Sequence, residues 1–213
     1  MCTVRAAMSH DHGHDEEDDL DESDEEHIEV DHAAISEALH HAVERGEKVQ
    51  IERAGLENEF WNGFPLVVND DFVLMRTLHD FALDGFAVLR VRDITSVRSS
   101  ETERFFERVL RSEGMLDKLS APRPVLLRSW RSVLESVRAH YRFAILECER
   151  EGDFTLGEIV SVDDEAVSLH YIQVNGTRES SLTRVALDDL TLLRFDEQYV
   201  NLFGKYSVCE DKH

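Results

Sequence analysis

Much of the stretch from Gly63 to Arg98, GFPLVVNDDFVLMRTLHDFALDGFAVLRVRDITSVR, recurs from Gly157 to Arg194 as GEIVSVDDEAVSLHYIQVNGTRESSLTRVALDDLTLLR. Gly63 aligns with Gly157, Asn69-Asp70-Asp71 with Asp163-Asp164-Glu165, and Val73 with Val167. After a two-residue insertion around Asn175-Gly176, Asp93-Ile94-Thr95 aligns with Asp189-Leu190-Thr191. A repeat constrains the fold more than composition does, because whatever one copy builds the other builds too.

Each copy reads as a helix followed by short strands. Ile35, Ala38, Leu39, Ala42 and Val43 recur with helical spacing, which places an apolar stripe on one face. Asp31 caps that helix and Gly46 stops it in the C′ position. Strands follow at KVQIERA, FPLVV, FVLMRTLH, FAVLRV (after an Asp84-Gly85 turn) and TSV. Gly63 marks a bend where a side chain would obstruct the backbone. Ser100 and Glu103 form a capping box for a helix that buries Phe105, Phe106, Val109 and Leu110. Asp117 to Pro124 is a linker. Leu126, Trp130, Val133, Leu134, Val137 and Tyr141 define the next helix, and RFAILECE, LGEIVSV, AVSLHYIQ, SLTRVAL and TLLRF the next strands. Asn175-Gly176 predicts a type I′ hairpin, with positive φ at both residues. A last helical turn runs from Tyr199 to Phe203 and ends at Gly204.

The predicted fold class is therefore α+β, mainly β. A disordered, acidic, His-rich tail occupies 1–32, a helix and first barrel 33–98, a helix and linker 99–124, and a helix and second barrel 125–213. The tail holds its charge in the run Asp15 to Glu26, a composition that buries too little apolar surface to offset its ordering entropy. Met8 opens a shorter frame, MSHDHGHDEEDD, as an alternative start. The three cysteines, Cys2, Cys148 and Cys209, are too few and scattered for a disulfide framework. The sequence has no apolar run of membrane-span length and no apolar h-region at the N-terminus. A cytoplasmic location and no membrane partner are expected.

A helix followed by five bent strands resembles the Sm-like and SH3-like small β-barrels over roughly 35–98 and 126–195, with the Asp-[Ile/Leu]-Thr step where such barrels make a short 3₁₀ turn. The resemblance implies two tandem five-stranded barrels, each preceded by a helix, and a recognition module more than a catalyst. Neither the Asp-x-Met-Asn loop nor the later Arg-Gly step of RNA-binding Sm proteins stands at the corresponding places, where Arg90 and Arg92 have no following glycine.

The net charge of −22 repels nucleic acid and anionic membranes, but the basic residues concentrate between 86 and 142. Arginine's planar fork suits carboxylates and phosphates. Arg90, Arg92, Arg104, Arg108, Arg111, Arg128 and Arg131 are the candidate anion- or partner-binding residues; the bland reading pairs them with nearby acidic residues. His10, His12 and His14, with Asp11 and Asp15, carry ligand types suited to weak transition-metal binding, and no other cofactor is implied. Asp93 and Asp189 read as turn residues whose carboxylates bond nearby backbone N–H groups. His79 and His170 read as ordinary strand histidines, and Cys148 as a buried, inert thiol between Glu147 and Glu149. No G-x-S-x-G, H-E-x-x-H, Walker or G-x-G-x-x-G pattern occurs, and no catalytic residue is assigned.

The expected function is a non-enzymatic interaction or adaptor protein with a protein partner, docking through a barrel edge or the helix faces. A second reading is a nucleic-acid-associated regulator that uses the arginine-rich middle and is autoinhibited by the acidic tail. A third is metal handling by the tail.

Overall fold

Ten strands join side by side into one open antiparallel sheet, in the order β10-β8-β7-β6-β11-β4-β3-β2-β1-β5. The computed structural model describes residues 30–57, 60–148 and 154–209. Residues 1–29 of the expected tail, including His10, His12 and His14, lie outside the described residues. The elements are α1 (His32–Arg45), β1 (Val49–Glu52), β2 (Trp61–Val68), β3 (Phe72–His79), β4 (Ala82–Arg90), β5 (Ser96–Arg98), α2 (Glu101–Ser112), α3 (Trp130–Arg138), β6 (Phe143–Cys148), β7 (Phe154–Val162), β8 (Ala166–Tyr171), β9 (Thr177–Arg178), β10 (Thr183–Ala186), β11 (Leu190–Phe195), α4 (Gln198–Tyr206) and β12 (Val208–Cys209). The chain is thus α+β and mainly strand. No described helix is long and apolar enough to cross a membrane.

The helix ends follow local chemistry. The Asp31 carboxylate accepts the N–H groups of Ala33 and Ala34, and Gly46 ends α1 in the left-handed region. Ser100 and Glu103 form the reciprocal capping box of α2. Ser129 caps α3 by accepting from Ser132 N–H.

The repeated residues take matching posts in the sheet. Gly63 faces Thr77 across β2–β3, and Gly157 faces Tyr171 across β7–β8. A bulge follows each glycine, between Pro65 and Val67 and between Ile159 and Ser161. The Asn69 side-chain oxygen Oδ1 accepts from the N–H groups of Asp71 and Phe72. The Asp163 carboxylate accepts likewise from Glu165 and Ala166. The Thr95 hydroxyl donates to the Glu52 carbonyl, and that of Thr191 to the Glu147 carbonyl.

Two expected turns differ. The first hairpin turns at Asp80 (φ 52°), whereas Gly85 (φ 67°) lies inside β4. A Cβ at Gly85 would collide with Glu197, so the glycine serves a contact between sequence-distant residues rather than a turn. In the second hairpin only Gly176 has positive φ. Its N–H donates to Gln173 C=O, and the Asn175 side chain accepts from Thr177 N–H. The turn therefore spends asparagine on a side-chain bond and is not type I′.

The seam of the sheet is β4 against β11, pairing Phe86 with Phe195 and Leu89 with Leu192. Both faces of this seam are buried. Phe86, Val88, Leu193 and Phe195 join one cluster with Phe72, Leu74 and the α3 residues Trp130, Val133, Leu134 and Val137. Ala87, Leu89 and Leu192 join another with Ile35 and Leu39 of α1. Two satellites complete the core: Leu110 of α2 packs on Phe64 and Leu78, and Val200 of α4 on Ile145, Leu156 and Ile172.

Candidate functional site

The sequence-predicted arginines do not form a single face. Arg90 is buried and its guanidinium is bonded to the Asp93 carboxylate. Asp93 thus holds an ion pair, and among the described residues its carboxylate has none of the backbone bonds expected of a turn residue. Arg111 pairs with Glu107 at 2.8 Å, Arg108 lies over the Phe105 ring at 5.9 Å, and Arg104 reaches the Ser99 carbonyl at 3.5 Å. Arg131 binds Glu135 at 3.0 Å and also bonds Asp164. Arg90, Arg92 and Arg128 do line one open cavity of about 330 Å³, but Asp70, Asp71 and Asp188 line it too. Trp130 shares that lining, and its indole N–H has no hydrogen-bond partner among the described residues.

Titratable groups gather at two other places. Beside the seam, Arg194 donates to Glu197 through Nε and Nη2, at 2.9 and 2.8 Å, and to Glu147 at 3.0 Å. Burial opposes the charge on Arg194, yet the two carboxylates hold its pKa above the usual range. Burial pushes the Glu197 carboxyl up, and Asp84 and Glu147 add to this against Arg194. On the far half, Glu158 accepts from Arg142 at 2.6 Å and from Arg178. Burial would raise Glu158, but those guanidiniums outweigh it and keep its pKa low. Arg178 also donates to Cys209 Sγ at 2.9 Å. His79 is exposed beside Asp80, and His170 Nδ1 lies 3.2 Å from Ser181 O. Cys148 is half-buried rather than fully enclosed. No group of three or more potential metal ligands occurs among the described residues.

The most distinctive surface is apolar. α4 seats Val200 in the core and lies so close to Phe143 that a Cβ at Gly204 would overlap its ring. Tyr199, Leu202 and Tyr206, at i, i+3 and i+7, are thereby turned outward. Val208 N–H donates to Gly176 C=O at 3.0 Å, which clips the end of α4 to the hairpin tip. Between them lies an open groove of about 300 Å³ lined by Val174, Gly176, Leu202, Phe203 and Tyr206. Val174 is 86% exposed, Tyr206 68%, Val208 64% and Leu202 47%. Scattered single exposures are ordinary, but Val174, Leu202 and Tyr206 gather around one groove. The sequence reading missed it. Its one legible signal was the helical spacing of Tyr199, Leu202 and Tyr206, which extends past the helix end expected at Phe203.

No family model matches this chain, and no curated protein matches it. Among solved structures it is similar to MrkH from K. pneumonia at 8% identity, covering 84% of this chain and 90% of that one, with a TM-score of 0.18. That likeness is too low to bear on fold or function.

Proposed function

We propose that this chain is a non-enzymatic interaction protein, built from a duplicated small-barrel module of Sm-like or SH3-like type, that holds a protein partner through the outer face of α4. The duplication is supported by strand order: β5-β1-β2-β3-β4 in one half repeats as β11-β6-β7-β8-β10 in the other. It is supported again by the matched posts of Gly63 and Gly157, Asn69 and Asp163, and Thr95 and Thr191. Fold alone does not name a function. The observation that carries the reading is the exposed apolar cluster of Val174, Leu202 and Tyr206 around one groove. Helix faces of this kind bury their apolar side chains against a partner.

The outer strand edges are less suited to the role. At the seam, Val88 pairs with Leu193. By strand order their counterparts at the free edges are Arg184 in β10 and Val97 in β5, both in short strands. Short, charged edges discourage strand addition.

The test is capture of a stoichiometric partner by the full chain, repeated with Tyr206→Asp and with Val174→Asp. Both variants should keep the circular dichroism and melting temperature of the parent and lose the partner. A complex that survives both substitutions refutes the docking face.

A second reading, phosphate contact by the arginine-rich middle, draws on the cavity shared by Arg92, Arg128 and the unpartnered Trp130 N–H. The three aspartates in the same lining and the carboxylates engaged by Arg90, Arg111 and Arg131 count against it. It predicts salt-sensitive retention on nucleic acid once the tail, residues 1–32, is removed. Metal handling rests on His10, His12 and His14 alone, and nickel titration of the full chain against a triple alanine variant tests it.

A further inference from the structure

We infer that the groove beside α4 takes an aromatic side chain from another protein, a phenylalanine-type ring presented by the partner. This rests on the docking face proposed above and names what enters it. The two halves of the molecule differ at this place. In each half a helix follows the last strand and packs beside a hairpin tip: α2 beside the β3–β4 turn, α4 beside the β8–β9 turn. In the first half the hairpin supplies Phe81, whose ring stacks on Phe106 of α2 with centroids 4.5 Å apart and planes within 7°. That ring bridges turn and helix, although Phe81 stays 43% exposed.

In the second half the hairpin carries Val174 and Asn175 at its tip, and the gap remains as the open groove of about 300 Å³. Val174 is too small to span it and stands largely in solvent. The floor is still apolar and aromatic: Phe203 lies half-buried, with its ring 4.7 Å from that of Tyr199. The second half therefore keeps the receiving surface and lacks the ring that the first half provides from its own chain. An aromatic ring buries a large area and stacks offset or edge-on against another, which favours it over an aliphatic side chain in such a gap. Residues 1–29, 58–59, 149–153 and 210–213 contain no phenylalanine, tyrosine or tryptophan, so these segments do not supply the ring, and the inference commits to a partner protein as its source.

The probes are N-acetyl-L-phenylalaninamide and N-acetyl-L-leucinamide, titrated into isotope-labelled full-length chain and followed by backbone amide resonances. The phenylalanine probe should shift Val174, Gly176, Leu202 and Tyr206 saturably, and bind at least about fivefold more tightly than the leucine probe. Val174→Phe, which supplies the missing ring in cis, should abolish these shifts while keeping the fold. Absent shifts, or equal affinity for the two probes, overturn the inference. If Tyr206→Asp releases the captured partner while phenylalaninamide moves nothing, the aromatic anchor is wrong and the docking face stands. If Tyr206→Asp leaves the partner bound, the docking face itself is wrong.

Discussion

Gly63 lays its bare α-carbon against the main-chain carbonyl of Arg76 on the neighbouring strand, where a methyl group would overlap the oxygen. Gly157 does the same against the carbonyl of His170. In both places a main-chain carbonyl, which cannot swing aside, stands in the way, and at Gly157 the Leu169 side chain is nearer still, so the strands would have to part. Gly63→Ala and Gly157→Ala should each cost about 3 kcal/mol, the upper range for overpacking. Urea denaturation of the two variants measures this, and a loss under about 1 kcal/mol would mean the sheet yields easily there.

In the Arg194–Glu197 pair the carboxylate is enclosed, with 4% of the Glu197 side chain exposed, while 28% of Arg194 remains exposed. Glu197→Ala leaves a guanidinium short of one carboxylate and should destabilise by about 3 kcal/mol. The pH dependence has a definite sign. The folded-state pKa of Glu197 lies above the ordinary value of 4.5, so in that window the native state binds more protons than the unfolded chain. Its contribution is full below 4.5 and is lost as pH rises through the raised value. Measured against Glu197→Gln, the wild type should therefore lose relative stability as the pH is raised from 4.5.

Glu103 has the opposite sign. Burial works to raise its carboxyl, but hydrogen bonds from Ser100 and the charge of Lys48 hold it below 4.5. The native state then binds fewer protons, so its contribution is present above 4.5 and is lost as pH falls through the lowered value. Glu103→Gln should cost about 1 kcal/mol at neutral pH, and the difference from wild type should vanish in acid. Chemical denaturation at a series of pH values checks it.

The stacked rings of Phe81 and Phe106 should show a coupling of about 1 kcal/mol in a double-mutant cycle with alanine. Coupling near zero would mean that Phe81 does not anchor its hairpin to α2.

Features fixed by neighbours in sequence were legible beforehand. The Asp31 cap, the Gly46 stop and the Ser100–Glu103 box all close within four residues, and the aligned glycines marked two bends. What escaped depended on distant partners. Asp84-Gly85 has the composition of a turn, but its left-handed glycine sits in β4 because Glu197 presses against it. Asp93 looked like a turn residue because the burial that pairs it with Arg90 comes from the folded core. The arginine-rich middle looked like one basic surface, yet Arg131 bonds Asp164 across 33 positions of sequence. The apolar groove lies between Val174 and Tyr206, and nothing in either segment announces the gap between them.

The seam between β4 and β11 bears on how the chain is made. Leu192 completes the cluster that holds α1, while Phe72 and Phe86 complete the one that holds α3. On a ribosome, the N-terminal half emerges with one flank of its sheet bare and must wait until residues 190–195 leave the exit tunnel. Premature termination between Arg90 and Leu190 would release a product with an uncovered apolar strand edge, a substrate for chaperones and proteases rather than a working half-molecule.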